Sequence, residues 1–202
     1  MTATSARVLL GRRSYHRSLM HTIRPRARVP TDATTTRDAR AMTTIRHLTP
    51  AFAVAPRIET ADVGLVAAAG FRAIVAVRPD GEDASGPAAH EIAALARALG
   101  LAFRYVPASP HDVLEPETVS RFEAALDGLR GPVLAYCTSG TRAAIVWALA
   151  AARHQPAACV SAVLRDAGLR LDGIEDELRE QPRSSAAKPA SLAVVCRDPA
   201  AA

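Results

Sequence analysis

Gly131-Pro132-Val133-Leu134-Ala135-Tyr136-Cys137-Thr138-Ser139-Gly140-Thr141-Arg142 is the stretch that decides the fold. Residues 133–136 form a short apolar run behind a Gly-Pro break, the pattern of a buried strand. Residues 143–152, with Ile145, Val146, Trp147 and Leu149, have the pattern of a buried helix. The six residues between are small or hydroxylated and end in a fixed cation. A loop of this make-up at a helix N-terminus can turn several backbone N–H groups into one small space, where the helix dipole also favours an anion. Cys137 opens that loop, in a field that favours the nucleophilic thiolate. Arg142 closes it with a fork suited to a phosphate- or sulfate-like group. The plainer reading is that Cys137 is a small apolar residue at a strand end. The spacing to Arg142 across Gly140 favours the anion loop.

Working outward, strand and helix patterns alternate. Residues 51–55 suit a first short strand. Thr60 is a candidate N-cap for a helix over 61–69 that Gly70 ends. Residues 73–77 suit a strand, broken by the turn chemistry of Arg78-Pro79-Asp80-Gly81-Glu82. Residues 87–99 place Ile92, Leu95, Ala96 and Leu99 on one helical face, with Gly100 as the stop. A strand over 101–106 leads into Pro107-Ala108-Ser109-Pro110-His111-Asp112. Pro116 then suits the first turn of a helix burying Val119, Phe122, Leu126 and Leu129. Beyond the Cys137–Arg142 loop and its helix, residues 157–167 and 171–178 read as two more helices. This alternation predicts a single α/β domain over residues 43–180 with a mainly parallel sheet flanked by helices. In such a sheet ligands bind beyond the carboxyl ends of the strands. The loops at 78–82, 107–112 and 137–142 would share that edge.

Composition sets the bounds. The chain has 202 residues, of which 49% are hydrophobic, enough for one core. Arg142 interrupts the best apolar run, so no membrane span is expected. Cys137, Cys159 and Cys196 show no C-x-x-C spacing and no clustered His ligands. Neither a disulfide framework nor a metal site is expected, Cys159 and Cys196 read as incidental, and a reducing, cytoplasmic location fits best. No cofactor is implied. The formal charge of +5 is misplaced, because residues 1–41 hold nine Arg against Asp32 and Asp38, which leaves −2 for the rest. Nucleic acid is therefore not an expected partner. Residues 1–42 read as a disordered Arg-rich extension. They are either a segment like an organellar transit peptide or sequence upstream of a working start at Met42, the second being favoured. Residues 181–202 read as a flexible tail.

With these residues set out, the chain resembles the phosphatase-like domain of beta-lactamase hydrolase-like proteins, relatives of the dual-specificity tyrosine phosphatases. The resemblance covers roughly residues 45–178. It rests on Gly70-Phe71-Arg72, Val77 through Glu82, Gly100-Leu101 leading to Tyr105-Val106-Pro107, the quoted stretch through Arg142, and Trp147-Ala148-Leu149. It implies a phosphatase-like α/β fold with Cys137 as nucleophile and Arg142 as oxyanion binder. The departures carry information too. Tyrosine phosphatases have five residues between Cys and Arg, a His before the Cys and a Ser or Thr after the Arg. Here Thr138, Ser139, Gly140 and Thr141 make four, with Tyr136 before and Ala143 after. Four intervening residues also resemble the loop of rhodanese-type sulfurtransferases, which carry a persulfide. The missing hydroxyl at 143 implies slow phosphatase turnover.

The expected chemistry is in-line attack of Cys137 on phosphorus, with the loop at Thr138, Ser139, Gly140 and Thr141 and the Arg142 fork holding the other oxygens. In the relatives a general acid comes from the loop after the strand that precedes the nucleophile strand. That makes Asp112 the first candidate and Asp80, in the turn after the 73–77 strand, the second. Each could instead be a helix cap or a turn-forming side chain. His111 reads as a solvated loop residue and Trp147 as core. Arg78 and Glu82 read either as partners of Arg142 or as an exposed pair. The expected substrate is a phosphorylated small molecule or protein. A sulfurtransferase and a weakly active anion-binding module are the alternatives, and the oligomeric state stays open.

Overall fold

Val133 is flanked in register by Phe52 on one side and Ala73 on the other, both on parallel neighbours. That places the strand before Cys137 at the centre of the sheet. The structure is a computed structural model that describes residues 45–82, 86–171 and 173–196. Its strands are β1 (Arg46–Thr49), β2 (Phe52–Ala55), β3 (Ala73–Ala76), β4 (Ala102–Tyr105) and β5 (Val133–Tyr136). They form one five-stranded sheet in the order β1-β2-β5-β3-β4. Every pairing is parallel except that of β1 with β2, which is antiparallel. β1 was not foreseen, because Arg46-His47-Leu48-Thr49 is too short and too polar to stand out. It exists because a tight turn at Pro50-Ala51 folds it back on β2.

The helices are α1 (Val63–Ala68), α2 (Ala89–Ala98), α3 (Pro116–Leu126), α4 (Thr141–Ala152), α5 (Ala157–Asp166) and α6 (Glu175–Glu180). They agree with the sequence reading to within a few residues at most ends. α1 is shorter than expected, since residues 60–62 wind as a 3₁₀ turn. Alternation along the strands sends side chains to two separate cores. Phe52, Val54, Val75 and Ala135 face α3, α4 and α5, while Ala53, Ile74, Leu134 and Tyr136 face α1 and α2. A strand buried on both faces reads as an unbroken apolar run. α4 is also covered nearly all round, with only Thr141 and Ile145 outside the buried set. Six alanines among its 12 residues let neighbouring elements approach it closely. Phe52 stacks on Trp147 and meets Phe122 edge-on, tying β2 to α4 and α3.

Two expectations need correction. Residues 181–202 read as a flexible tail, but much of the described part, residues 181–196, lies against the domain. Leu192 is fully buried, Val194 N–H donates to Gln155 Oε1 at 3.0 Å, and Trp147 Nε1–H donates to Ser191 O at 3.0 Å. Cys159 and Cys196 are not incidental either: they form a disulfide across 37 residues of sequence, with Cα atoms 5.1 Å apart. The chain return that brings them together leaves no mark in local spacing. The inference of a reducing compartment rested on three free thiols and loses that basis, since only Cys137 is free. The expected disorder of residues 1–42 concerns residues outside those described, as do 197–202. Among the described residues no helix is long and apolar enough to cross a membrane.

Candidate active site

Cys137 follows directly from β5, so a central parallel strand delivers its sulfur to the carboxyl edge of the sheet. The side chain is fully buried, and its Sγ accepts the Gly140 N–H at 3.1 Å. That bond depends on the backbone of Gly140, which sits at φ 91° as the residue before α4. Glycine reaches this region without the cost that other residues meet. A Cβ here would also stand 3.3 Å from the carbonyl carbon and oxygen of Ala55. Conformation therefore favours glycine here, and a side chain would in addition crowd the Ala55 carbonyl.

The rest of the loop is pinned from both sides. Arg57 N–H donates to Thr138 O at 3.2 Å, joining the loop after β2 to this one. Thr141 N–H donates to Ser139 Oγ at 3.3 Å, and that hydroxyl donates to Thr141 Oγ1 at 3.0 Å. Among the described residues nothing accepts from the N–H of Thr138 or Ser139. The first N–H groups of a helix likewise have no intrahelical acceptor. The loop thus presents backbone donors at the positive end of α4.

Arg142, in the first turn of α4, is buried and gathers the three loops predicted to share this edge. Its Nη1 donates to Glu82 Oε2 at 2.7 Å and to Ala108 O at 2.8 Å. Its Nη2 donates to Glu82 Oε1 at 2.6 Å and to Thr138 Oγ1 at 2.7 Å. Thr138 Oγ1 in turn donates to Glu82 Oε1 at 2.9 Å. These hydrogen bonds from Arg142 hold the Glu82 carboxyl below its ordinary value, against the opposing effect of its partial burial. Of the two readings for Glu82, partner of Arg142 is the observed one. Arg78 is buried close by and adds to the positive field at Glu82.

Asp80 and Asp112 differ in their engagements. Asp80 Oδ1 accepts the N–H of Ala89, the first residue of α2, at 2.8 Å, and Asp80 N–H donates to Tyr105 Oη at 2.9 Å. It thus serves as a remote cap for α2. Asp112 lies in the turn before α3, with its backbone carbonyl accepting from Glu115 N–H. Its Oδ1 is buried, and among the described residues no donor meets it. Such an atom calls for a purpose, because leaving it unpaired costs about 1–3 kcal/mol. His111 is exposed, as its reading as a solvated loop residue requires. Tyr136 points to the other face of the sheet from Cys137, and burial keeps its phenol protonated far into the basic range. Among the described residues no three His, Cys, Asp or Glu side chains gather to hold a metal ion.

Ala108 is the site residue that sequence reading missed. Its contribution is a main-chain carbonyl, to which side-chain identity gives no clue. Proximity to Pro107 and Pro110 marked only that the loop is stiff.

Residues 44–154 match the family described as "Beta-lactamase hydrolase-like protein, phosphatase-like domain". A beta-lactamase hydrolase-like protein of Xylella fastidiosa is 39% identical over 80 residues, which are 40% of this chain and 18% of that protein. The chain thus matches about a fifth of the length of the curated relatives. Among solved structures, a Neisseria meningitidis protein named a "putative phosphatase" superposes with a TM-score of 0.59 at 28% identity, covering 67% of this chain and 96% of that one. Kinase associated phosphatase superposes with a TM-score of 0.51 at 12% identity over 68% of this chain and 91% of its own, a likeness of fold.

Proposed function

The chain belongs to the phosphatase-like domain family of beta-lactamase hydrolase-like proteins, and on that premise we propose that it is a cysteine-dependent hydrolase of phosphate esters. The observation that carries this reading is the buried Cys137 sulfur accepting the Gly140 N–H, five residues before an arginine at the start of α4. That bond fixes the sulfur at the N-terminus of α4, beside the loop that would hold an oxyanion.

In the reaction the Cys137 thiolate attacks phosphorus in line, forming an S–P bond as the ester P–O bond breaks. The loop donors and Arg142 balance charge on the three equatorial oxygens. Asp112, with one carboxyl oxygen buried and unmet, is the residue we assign to protonate the leaving oxygen. The resulting phosphocysteine is cleaved by water, whose proton returns to Asp112, releasing phosphate and restoring the thiolate. Asp80 is the weaker choice because its carboxylate already caps α2. The substrate is a phosphorylated small molecule or protein.

The test is hydrolysis of an aryl phosphate by the full chain, with Cys137→Ser and Arg142→Ala as controls. Slow phosphate release that both substitutions abolish is the expected result. The four-residue spacing between Cys137 and Arg142 supports the rival reading as a sulfurtransferase. Transfer of sulfur from thiosulfate to cyanide, with a trapped Cys137 persulfide and no phosphate release above Cys137→Ser, would decide for that rival.

A further inference from the structure

Arginine has five N–H donors, four of them on the terminal nitrogens. All four terminal donors of Arg142 are spoken for: two by the Glu82 carboxylate, one by Ala108 O and one by Thr138 Oγ1. The paired, short contacts to Glu82 are the geometry with which this fork would grasp a phosphate. Glu82 also receives a third donor, the Thr138 hydroxyl, from the residue that follows the nucleophile. Every side-chain hydrogen bond to Glu82 among the described residues therefore comes from the Cys137–Arg142 loop. The carboxylate also stands on the open side of the pair, its side chain being 29% exposed against 10% for Arg142.

We propose that Glu82 is a resident competing anion, occupying the Arg142 fork and leaving it when a substrate oxyanion binds. This rests on reading the loop as an oxyanion site. Binding is then an exchange of one anion for another on a buried guanidinium. The carboxylate shields Arg142 from carrying an uncompensated charge, which is costly in a buried setting. In doing so it weakens the affinity of the loop for any anion that presents only a single weak charge. Loss of Glu82 leaves the guanidinium in want of a counter-ion, which a bound oxyanion supplies. The opposite role, a clamp that orients Arg142 for the ligand, predicts the opposite change on substitution.

Calorimetric titration of the full chain with inorganic phosphate at fixed pH and ionic strength separates the two. Glu82→Gln keeps the size and a carbonyl acceptor but removes the charge. It is expected to bind phosphate about tenfold more tightly than wild type, and to lower KM for an aryl phosphate by more than it changes kcat. Glu82→Ala should tighten binding in the same direction, and the gain should vanish in Glu82→Gln/Arg142→Ala. Unchanged or weaker phosphate binding in both Glu82 variants, with wild type still binding, overturns the competing-anion role while leaving the phosphate loop intact. No phosphate binding by wild type or by either Glu82 variant overturns both.

Discussion

The indole Nε1–H of Trp147 donates to the backbone carbonyl of Ser191 at 3.0 Å, linking the helix behind the candidate nucleophile to the C-terminal stretch 44 residues later. Trp147 is fully buried, so the bond lies out of reach of water. The Cys159–Cys196 disulfide fastens the same stretch to α5. Core packing behind the Cys137–Arg142 loop thus depends on residues outside the span of the family match.

Breaking the disulfide should loosen that cover. Closing a loop of this size restricts the unfolded chain, and such bonds typically contribute about 2–4 kcal/mol. Cys159→Ala/Cys196→Ala should lower the thermal midpoint by roughly 4–16 °C, at about 2–4 °C per kcal/mol for a domain of this size. Differential scanning calorimetry measures this; a midpoint equal to wild type would show that the stretch holds without the bond.

Gly140→Ala should damage both stability and the site. The left-handed backbone costs a non-glycine residue about 1–2 kcal/mol, and the added methyl presses on the Ala55 carbonyl. A loss of several degrees in thermal midpoint is expected, together with a larger loss of aryl phosphate turnover, because the N–H to Cys137 moves with the backbone. Full activity at reduced stability would separate Gly140 from the chemistry.

Asp112→Asn tests the proposed general-acid role. An aryl phosphate whose leaving group departs without a proton should be hydrolysed at close to the wild-type rate. An alkyl phosphate should slow by roughly 10²–10⁴-fold. Equal slowing of both substrates would point to a structural role, and no slowing of either would pass the assignment to Asp80.

The Glu82–Arg142 pair gives a pH signature in stability. The Glu82 carboxyl is held below its ordinary value of 4.5 in the folded protein. Its contribution is therefore present above that value and is lost as the pH falls through the folded-state value beneath it. Wild type should exceed Glu82→Gln in chemical-denaturation stability near neutrality, and the difference should shrink steadily below about pH 4.5. A difference that stays constant down to pH 2 would mean the charge of Glu82 contributes nothing.

From the sequence alone, the run from Val133 to Arg142 determined much of the molecule. An apolar run behind Gly-Pro, a loop of small residues and an alanine-rich helix admit few arrangements, and alternating segments on either side require a parallel sheet with helices on both faces. Cys137 and Arg142 could be named as a candidate pair for the same reason: the loop holds them at a short, fixed spacing. What tertiary structure alone decided lies between distant segments. Glu82 could be named as a possible partner, but only the meeting of three loop ends showed its carboxylate filling the Arg142 fork. Ala108 acts through a carbonyl, and main-chain groups carry no side-chain signature. Asp80 and Asp112 looked alike in sequence, since each sits in a turn ahead of a helix; the fold gave one an N–H to cap and buried an oxygen of the other with no donor among the described residues. Cys159 and Cys196 showed no local spacing, because a disulfide depends on where the chain returns in space, which neighbouring residues do not fix.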